Sequence, residues 1–420
     1  MSNDIDADII FPRCAGIDVH KDILAICRVY RDQDGSRIQE LRMFGTMTDD
    51  LLSASDWLSE VGITHVCMES TGVYWQPVFN ILDANFDVWI VNAHHLKSVP
   101  GRKTDKKDAQ WIAKCFEHGL LNRSFVPDAS QRDLRELTRI RTKIVQERAT
   151  LSNRIQKLLE PCNIKLASVA TDVLGVSGRA ILTALSNGET DVVKLANMAK
   201  GKLQSKHERL IRSLNGNMTA TQRLILSELL NLVNAQEESL SRINKAIDEI
   251  MPPFQESANI LMTVPGLNKQ SAEAILAEIG CTLDTFPTVD KFCAWAGVAP
   301  GNNESAGKKK NTRSRDGNVY LRTASVQVAR GAVRTHDTYC GALYHRLVRT
   351  RGDGRAIVAV AHSILAAIYF MLKRKIDYNE LGADYFAKRK PEAVVRECVR
   401  RLKQCGFDTK LEPIELAQAA

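Results

Sequence analysis

Four acidic residues stand where they could act together. Asp18 lies in Gly16-Ile17-Asp18-Val19-His20 and Glu69 in Met68-Glu69-Ser70-Thr71-Gly72. Asp105 and Asp108 lie in Thr104-Asp105-Lys106-Lys107-Asp108-Ala109. The first two end short apolar, β-branched runs. The last two are three residues apart on what reads as a helix start, so both turn to one face. Oxygen ligands suit magnesium, and two such ions about 4 Å apart can clamp the attacking and leaving oxygens of a phosphodiester. The spacing therefore points to a two-magnesium site and nucleic-acid strand chemistry. Any one of the four alone reads as a structural cap, Asp105 in particular as a first-turn acid that complements the helix dipole. His20, beside Asp18, could ligate or orient a phosphate. Tyr74 and Trp75 could stack on a base, although Trp75 reads first as a core residue.

The elements that must hold these acids are legible. Cys14–Ile17 and Leu24–Tyr30 read as a hairpin, with a third strand around Ile38–Phe44. A helix near Asp49–Val61 leads to a strand at Thr64–Met68, and a helix near Trp75–Ala84 to a strand at Phe86–Val91. A meander followed by strands alternating with helices indicates a mixed α/β sheet. The order is ribonuclease H-like, with the first strand's acid at the centre of the sheet.

From Asp128 the pattern is helical. Leu137, Ile144, Leu151 and Leu158 recur every seven residues, and so do Leu226, Val233, Leu240 and Ile247. Two long helices with narrow apolar seams suggest a coiled-coil pair, within the chain or between subunits. Val264-Pro265-Gly266-Leu267-Asn268-Lys269 resembles the turn of a helix-hairpin-helix element, in which backbone N–H groups at Gly266 and the Lys269 side chain would meet a phosphate. Ser305 sits in a glycine-flanked loop ahead of Lys308, Lys309 and Lys310. A serine hydroxyl is a weak nucleophile unless a base or metal activates it, which the quartet could do if the two domains close on each other. Arg313, Arg315, Asn318, Tyr320 and Arg322 read as phosphate contacts.

Charge is concentrated here. Of 57 basic and 49 acidic residues in 420, Gly301–Arg355 holds twelve basic against four acidic, and the rest of the chain is balanced. Such a local positive field favours a polyanion. The ten cysteines include no Cys-x-x-Cys pair, so no zinc site or disulfide framework is expected, and a reducing cytoplasm fits. The acidic N-terminus is no signal peptide. The apolar run Ala356–Leu372 reads as a buried helix rather than a membrane span.

The Gly-Ile-Asp-Val-His opening, the Met-Glu-Ser-Thr-Gly-Val-Tyr block and the Lys103–Ala109 block together resemble the DEDD-type transposases of bacterial insertion sequences. This is the insertion sequence one-ten family, related to the Piv invertases. Phe292–Pro300, Ser305 with its lysines and Gly317–Arg322 resemble that family's C-terminal domain. The resemblance implies an N-terminal RuvC-like domain with Asp18, Glu69, Asp105 and Asp108 as magnesium ligands. It also implies a C-terminal domain whose nucleophilic serine, matching Ser305, links covalently to DNA. Partners would be donor and target DNA, a structured bridge RNA and further copies of the chain; a membrane would not be one. Ala306 departs from the glycine that typically follows the family's serine, and Ser314 is the nearest substitute.

The expected plan is thus α/β plus all-α. A RuvC-like domain spans 1–127, a coiled-coil region 128–256, a serine and DNA-binding domain 257–380, and a basic tail 381–420. The rival functions are a RuvC-like hydrolytic nuclease and a non-catalytic nucleic-acid-binding protein.

Overall fold

The computed structural model describes residues 8–70, 72–92, 108–300, 303–305, 308–311, 317–389, 391–408 and 410, with the backbone alone for 303–305, 308–311, 393 and 394. The chain divides into two compact units, Met1–Pro127 and Asp128–Ala420.

The first unit is mixed α/β. Its described elements are β1 (Cys14–Val19), β2 (Ile23–Arg31), β3 (Arg37–Gly45), α1 (Thr48–Ser59), β4 (His65–Glu69), α2 (Trp75–Leu82), β5 (Asp87–Val91) and α3 (Asp108–Glu117). The strands form one sheet in the order β3-β2-β1-β4-β5. β1 runs antiparallel to β2 and parallel to β4, and β4 runs parallel to β5. The central strand is longer than its apolar run suggests. Asp18 and Val19 pair with Ala25 and Leu24 of β2, which carries β1 two residues past Ile17. The β2–β3 turn closes on Asp32, whose Oδ1 accepts the Asp34 and Ser36 amides at 3.0 and 2.8 Å.

Alternation along the strands divides the sheet into two faces. Ala15, Ile17, Val19, Val66 and Met68 pack under α1 and α2, with Trp57, Leu58, Val78 and Phe79. Cys14, Cys27, Cys67 and Val91 face α3 through Ala109, Ile112, Ala113 and Phe116. α3 comes so close to β1 that only glycine fits at position 16. A Cβ there would fall 2.5 Å from the Ala109 carbonyl oxygen and 2.8 Å from Ala113 Cα. Both neighbours are helix backbone, so neither can swing aside. Gly16→Val is therefore expected to destabilise the unit by about 3 kcal/mol, the upper end for overpacking, and to lower its melting temperature by about 10 °C. A melting temperature within 2 °C of the parent, as an order-of-magnitude threshold, would contradict this packing.

Among the described residues, the second unit is helical apart from one small hairpin. It begins with α4 (Ala129–Leu159), capped by Asp128, whose side chain accepts the Gln131 amide. Three short helices follow, α5 (Val176–Ser186), α6 (Val192–Asn197) and α7 (His207–Leu214). Then comes α8 (Ala220–Ile250), opened by a Thr219–Gln222 capping box. α9 (Gln255–Met262), α10 (Lys269–Ile279) and α11 (Val289–Trp295) lead to the hairpin β6 (Asn303–Ser305) and β7 (Lys308–Asn311). The unit ends with α12 (Val319–Ala332), α13 (Tyr339–Arg351), α14 (Asp353–Arg374), α15 (Tyr385–Arg389) and α16 (Pro391–Gln404).

α4 and α8 are antiparallel neighbours within the chain. Arg141 reaches Asn244 at 3.3 Å, and Arg148 reaches Glu237 at 3.0 Å. Their heptad residues do not form one continuous seam, however. Leu151, Ile155, Leu226 and Val233 pack into a core built by the short helices between them. Leu134 and Ile247, at the other end, join the core of α9–α14. The sevenfold spacing thus records two helices threaded through two cores. α14 is long and apolar enough to cross a membrane by length and composition. Its Val360, Ala361, Ile364, Leu365 and Ile368 are nevertheless buried at the centre of that second core.

Candidate active site

β1 and β4 bring two of the acids side by side. Their register pairs Gly16 with Cys67 and Ile17 with Met68, so Asp18 and Glu69 are the next residues in step. Two-residue alternation from Gly16 and Cys67 puts both on the α3 face of the sheet. Asp18 is largely enclosed, with its side chain 20% exposed, and Glu69 is half-buried. His20 Nε2 lies 3.2 Å from Asp18 Oδ2.

The direction of α3 supplies the third. The Glu117 carbonyl accepts the Ile10 and Phe11 amides at 2.9 and 3.0 Å, just ahead of β1. Ala113 and Ala109 lie against Gly16. The helix therefore runs antiparallel to β1, and its first residue, Asp108, falls at the strand end that carries Asp18 and Glu69. The positive end of the helix dipole faces the same place, which favours negative charge there. Asp105 lies outside the described residues.

The donor set suits a hard cation. All three described acids offer oxygen, and the thiols on the same face are not competing thiolates. Burial pushes Cys14, Cys27 and Cys115 up to about 12 and Cys67 well above its ordinary value. Among the described residues no three candidate ligands already converge tightly enough to hold an ion. The structure thus aligns the elements that carry Asp18, Glu69 and Asp108 at one sheet end. Tyr74 beyond Glu69 is exposed, whereas Trp75 packs edge-on to Phe79 with ring centres 5.8 Å apart.

In the second unit, Ser305 ends β6 and pairs with Lys308, the first residue of β7, which also holds Lys309 and Lys310. Arg313, Arg315 and Ser314 lie outside the described residues. Gly317 lies close against the end of α11: a Cβ there would come within 2.6 Å of Gly297 Cα and the Trp295 carbonyl oxygen. Asn318 caps α12 through its Oδ1, which accepts the Tyr320 and Leu321 amides at 3.1 and 3.0 Å. Its Nδ2 donates at 2.6 Å to buried Glu278, which also takes a bidentate pair from Arg139. Tyr320 lies under the Arg139 guanidinium, 4.4 Å from it, so both Asn318 and Tyr320 serve packing here. Arg322 is half-buried on α12.

The turn read as a phosphate grip also has packing and pairing partners within the fold. Gly266, at φ +79°, is pressed onto α12: a Cβ would meet Gly331 at 2.6 Å and Ala332 Cα at 2.9 Å. Lys269 is exposed, and its Nζ is paired with Asp248 at 2.6 Å, which holds its pKa above the ordinary lysine value. Both residues thus have a structural explanation. Gly16 bears no side chain that could do chemistry, and its signal in the sequence is a glycine inside an apolar strand, a sign of close backbone approach.

Comparison with known proteins gives two family matches along the chain, the first running from the sheet through α4. Residues 15–164 match a DEDD family described as Transposase, and residues 258–345 match the Transposase IS116/IS110/IS902 family. A protein described as a probable family 20 transposase, from Pseudomonas aeruginosa, is 24% identical over 323 residues, which is 75% of this chain and 85% of that one. The two matches cover the acid-bearing sheet and the helical region around the serine hairpin, and on these grounds the chain belongs to the IS110 family of transposases.

Proposed function

We propose that this transposase cuts and rejoins DNA through a serine–DNA intermediate, with Asp18, Glu69, Asp105 and Asp108 holding magnesium in a RuvC-like domain. The observation that carries this reading is the alignment of Asp18, Glu69 and the start of α3 at one end of one sheet face. When bound there, magnesium supplies charge stabilisation at the scissile phosphate and lowers the pKa of a coordinated hydroxyl.

The protein's own groups then divide the work. The carboxylates fix the cation-binding end of the sheet, and His20 orients Asp18 or a phosphate. Ser305 Oγ attacks the scissile phosphorus; the Oγ–P bond forms as the bond to the leaving strand's oxygen breaks. The serine proton is lost, and the leaving oxygen departs as a hydroxyl. The phosphoserine bond keeps the phosphodiester energy for rejoining, when a strand hydroxyl attacks and releases the serine. Lys308, Lys309, Lys310, Arg313, Arg315 and Arg322 hold the backbone, and a basic turn of this kind grips without reading bases. Gly266 and Lys269 are secondary candidates for that grip. We assign target choice to a structured bridge RNA and the working form to a homo-oligomer in the cytoplasm, as the family likeness implies.

Denaturing the protein in mid-reaction on a nicked substrate tests the intermediate. A labelled strand should migrate with the protein, and peptide mapping should place the adduct on Ser305. Cleavage with no protein-linked strand would instead indicate direct attack by water.

A further inference from the structure

The corner where α13 meets α14 concentrates positive charge that the serine hairpin does not account for. Between Arg330 and Arg355 the chain has six arginines, and Asp337 and Asp353 are its acids. α13 itself contains no acidic residue. Asp353 is already engaged: its Oδ2 accepts from Arg330 Nη2 at 3.2 Å and its Oδ1 from the Tyr344 hydroxyl at 2.8 Å. That carboxylate pins α12, α13 and α14 together. It leaves Arg346, Arg349, Arg351 and Arg355 exposed with no carboxylate partner among the described residues.

The corner is held in place as well as charged. Arg346 lies over the Phe386 ring, 4.8 Å from its centre, and Phe386 stacks on Tyr339 at 5.4 Å. Arg346 and Arg349 are one turn apart on a common face, about 4.5 Å along the axis. Gly352, at φ +77°, turns the chain sharply into α14. A Cβ on Gly352 or Gly354 would meet nothing within 4 Å, so the turn between Arg351 and Arg355 is open to approach. Like charges gathered on a fixed helix face repel one another, and a polyanion relieves that repulsion.

We propose that this corner is a second contact surface for duplex DNA, in which Arg346, Arg349, Arg351 and Arg355 engage backbone phosphates. DNA is the occupant because it is the substrate of the transposase family; neither the serine nor the metal assignment enters. Each phosphate contact contributes a slope of about −0.9 to the dependence of log affinity on log salt.

The test uses the full chain, a random-sequence DNA duplex and fluorescence anisotropy between 0.05 and 0.3 M salt, roughly the range where counterion release is well resolved. Arg349→Gln, Arg351→Gln and Arg355→Gln combined should flatten the slope by about 2 to 3. Binding in 0.1 M salt should fall between about tenfold and about five-hundredfold, with an unchanged melting temperature. A control removing the exposed α4 charges Lys143, Arg154 and Lys157 should leave the slope unchanged. If the triple variant fails to fold, Arg351→Gln alone should flatten the slope by about 0.9. The proposal is overturned by an unchanged slope in a folded variant, or by an equal loss in the control. Loss of binding to a structured RNA hairpin with duplex binding intact also overturns it and assigns the corner to RNA.

Discussion

Asn in place of Asp18 should leave the protein folded and bound to DNA while strand cleavage falls by about a thousandfold. Asp18 sits on the central strand, largely enclosed, at the sheet end where Glu69 follows in register and α3 begins. Asn keeps the side chain's shape and removes one negative charge and one strong oxygen donor. Losing one charged ligand at a phosphoryl-transfer site costs about 4 kcal/mol of transition-state stabilisation, and each 1.36 kcal/mol is about tenfold in rate. Glu69→Gln should behave alike. His20→Ala should cost less, because that ring contacts Asp18 only through Oδ2 and is itself exposed. Cleavage rate at saturating magnesium, duplex affinity and melting temperature should be measured together. Cleavage within tenfold of the parent, with folding intact, would remove Asp18 from the metal-binding set.

The contrast between the acids and the basic residues shows what a sequence can carry. Strand identity was readable from β-branched alternation, and the acids from their place at the ends of those runs, because both depend on neighbours in the chain. The extension of β1 to Val19 depends on pairing with Ala25 and Leu24, which is set by a hairpin partner and not by the strand's own residues. The heptads of α4 and α8 were correctly read as long helices. What each seam packs against is tertiary, and the short helices between them claim Leu151, Ile155, Leu226 and Val233. Gly266 illustrates the same limit: a glycine for a phosphate and a glycine for a neighbouring helix look identical in one dimension. The arginines at the α13–α14 corner were counted in the basic excess, but Tyr344 and Arg330 had to be seen on Asp353 before the rest emerged as unpaired.

Ser305→Ala should abolish both the protein-linked strand and rejoining, and leave duplex affinity within about threefold. The expectation rests on the two chemistries open to such a site. If the serine attacks, its removal takes away the only atom that can hold the broken strand, so no adduct and no exchanged product can form. Residual cleavage would then be hydrolysis, slower and without rejoining. If water attacks in the native reaction, alanine at 305 changes cleavage little, because the acids alone supply the activation. Ser305→Cys adds a graded case, since a thiolate is the stronger nucleophile but a bulkier one whose soft sulfur suits a hard cation poorly. Ser314→Ala provides the internal comparison. Ser305 borders Lys308 in the β6–β7 pairing, whereas Ser314 lies beyond the hairpin among Arg313 and Arg315. Loss of the adduct in Ser314→Ala with Ser305→Ala active would move the nucleophile to 314. It would also identify Ala306 as the mark of a shifted loop. Loss confined to Ser305→Ala would fix the chemistry at the hairpin, and the acids of the first unit would then serve a serine rather than water.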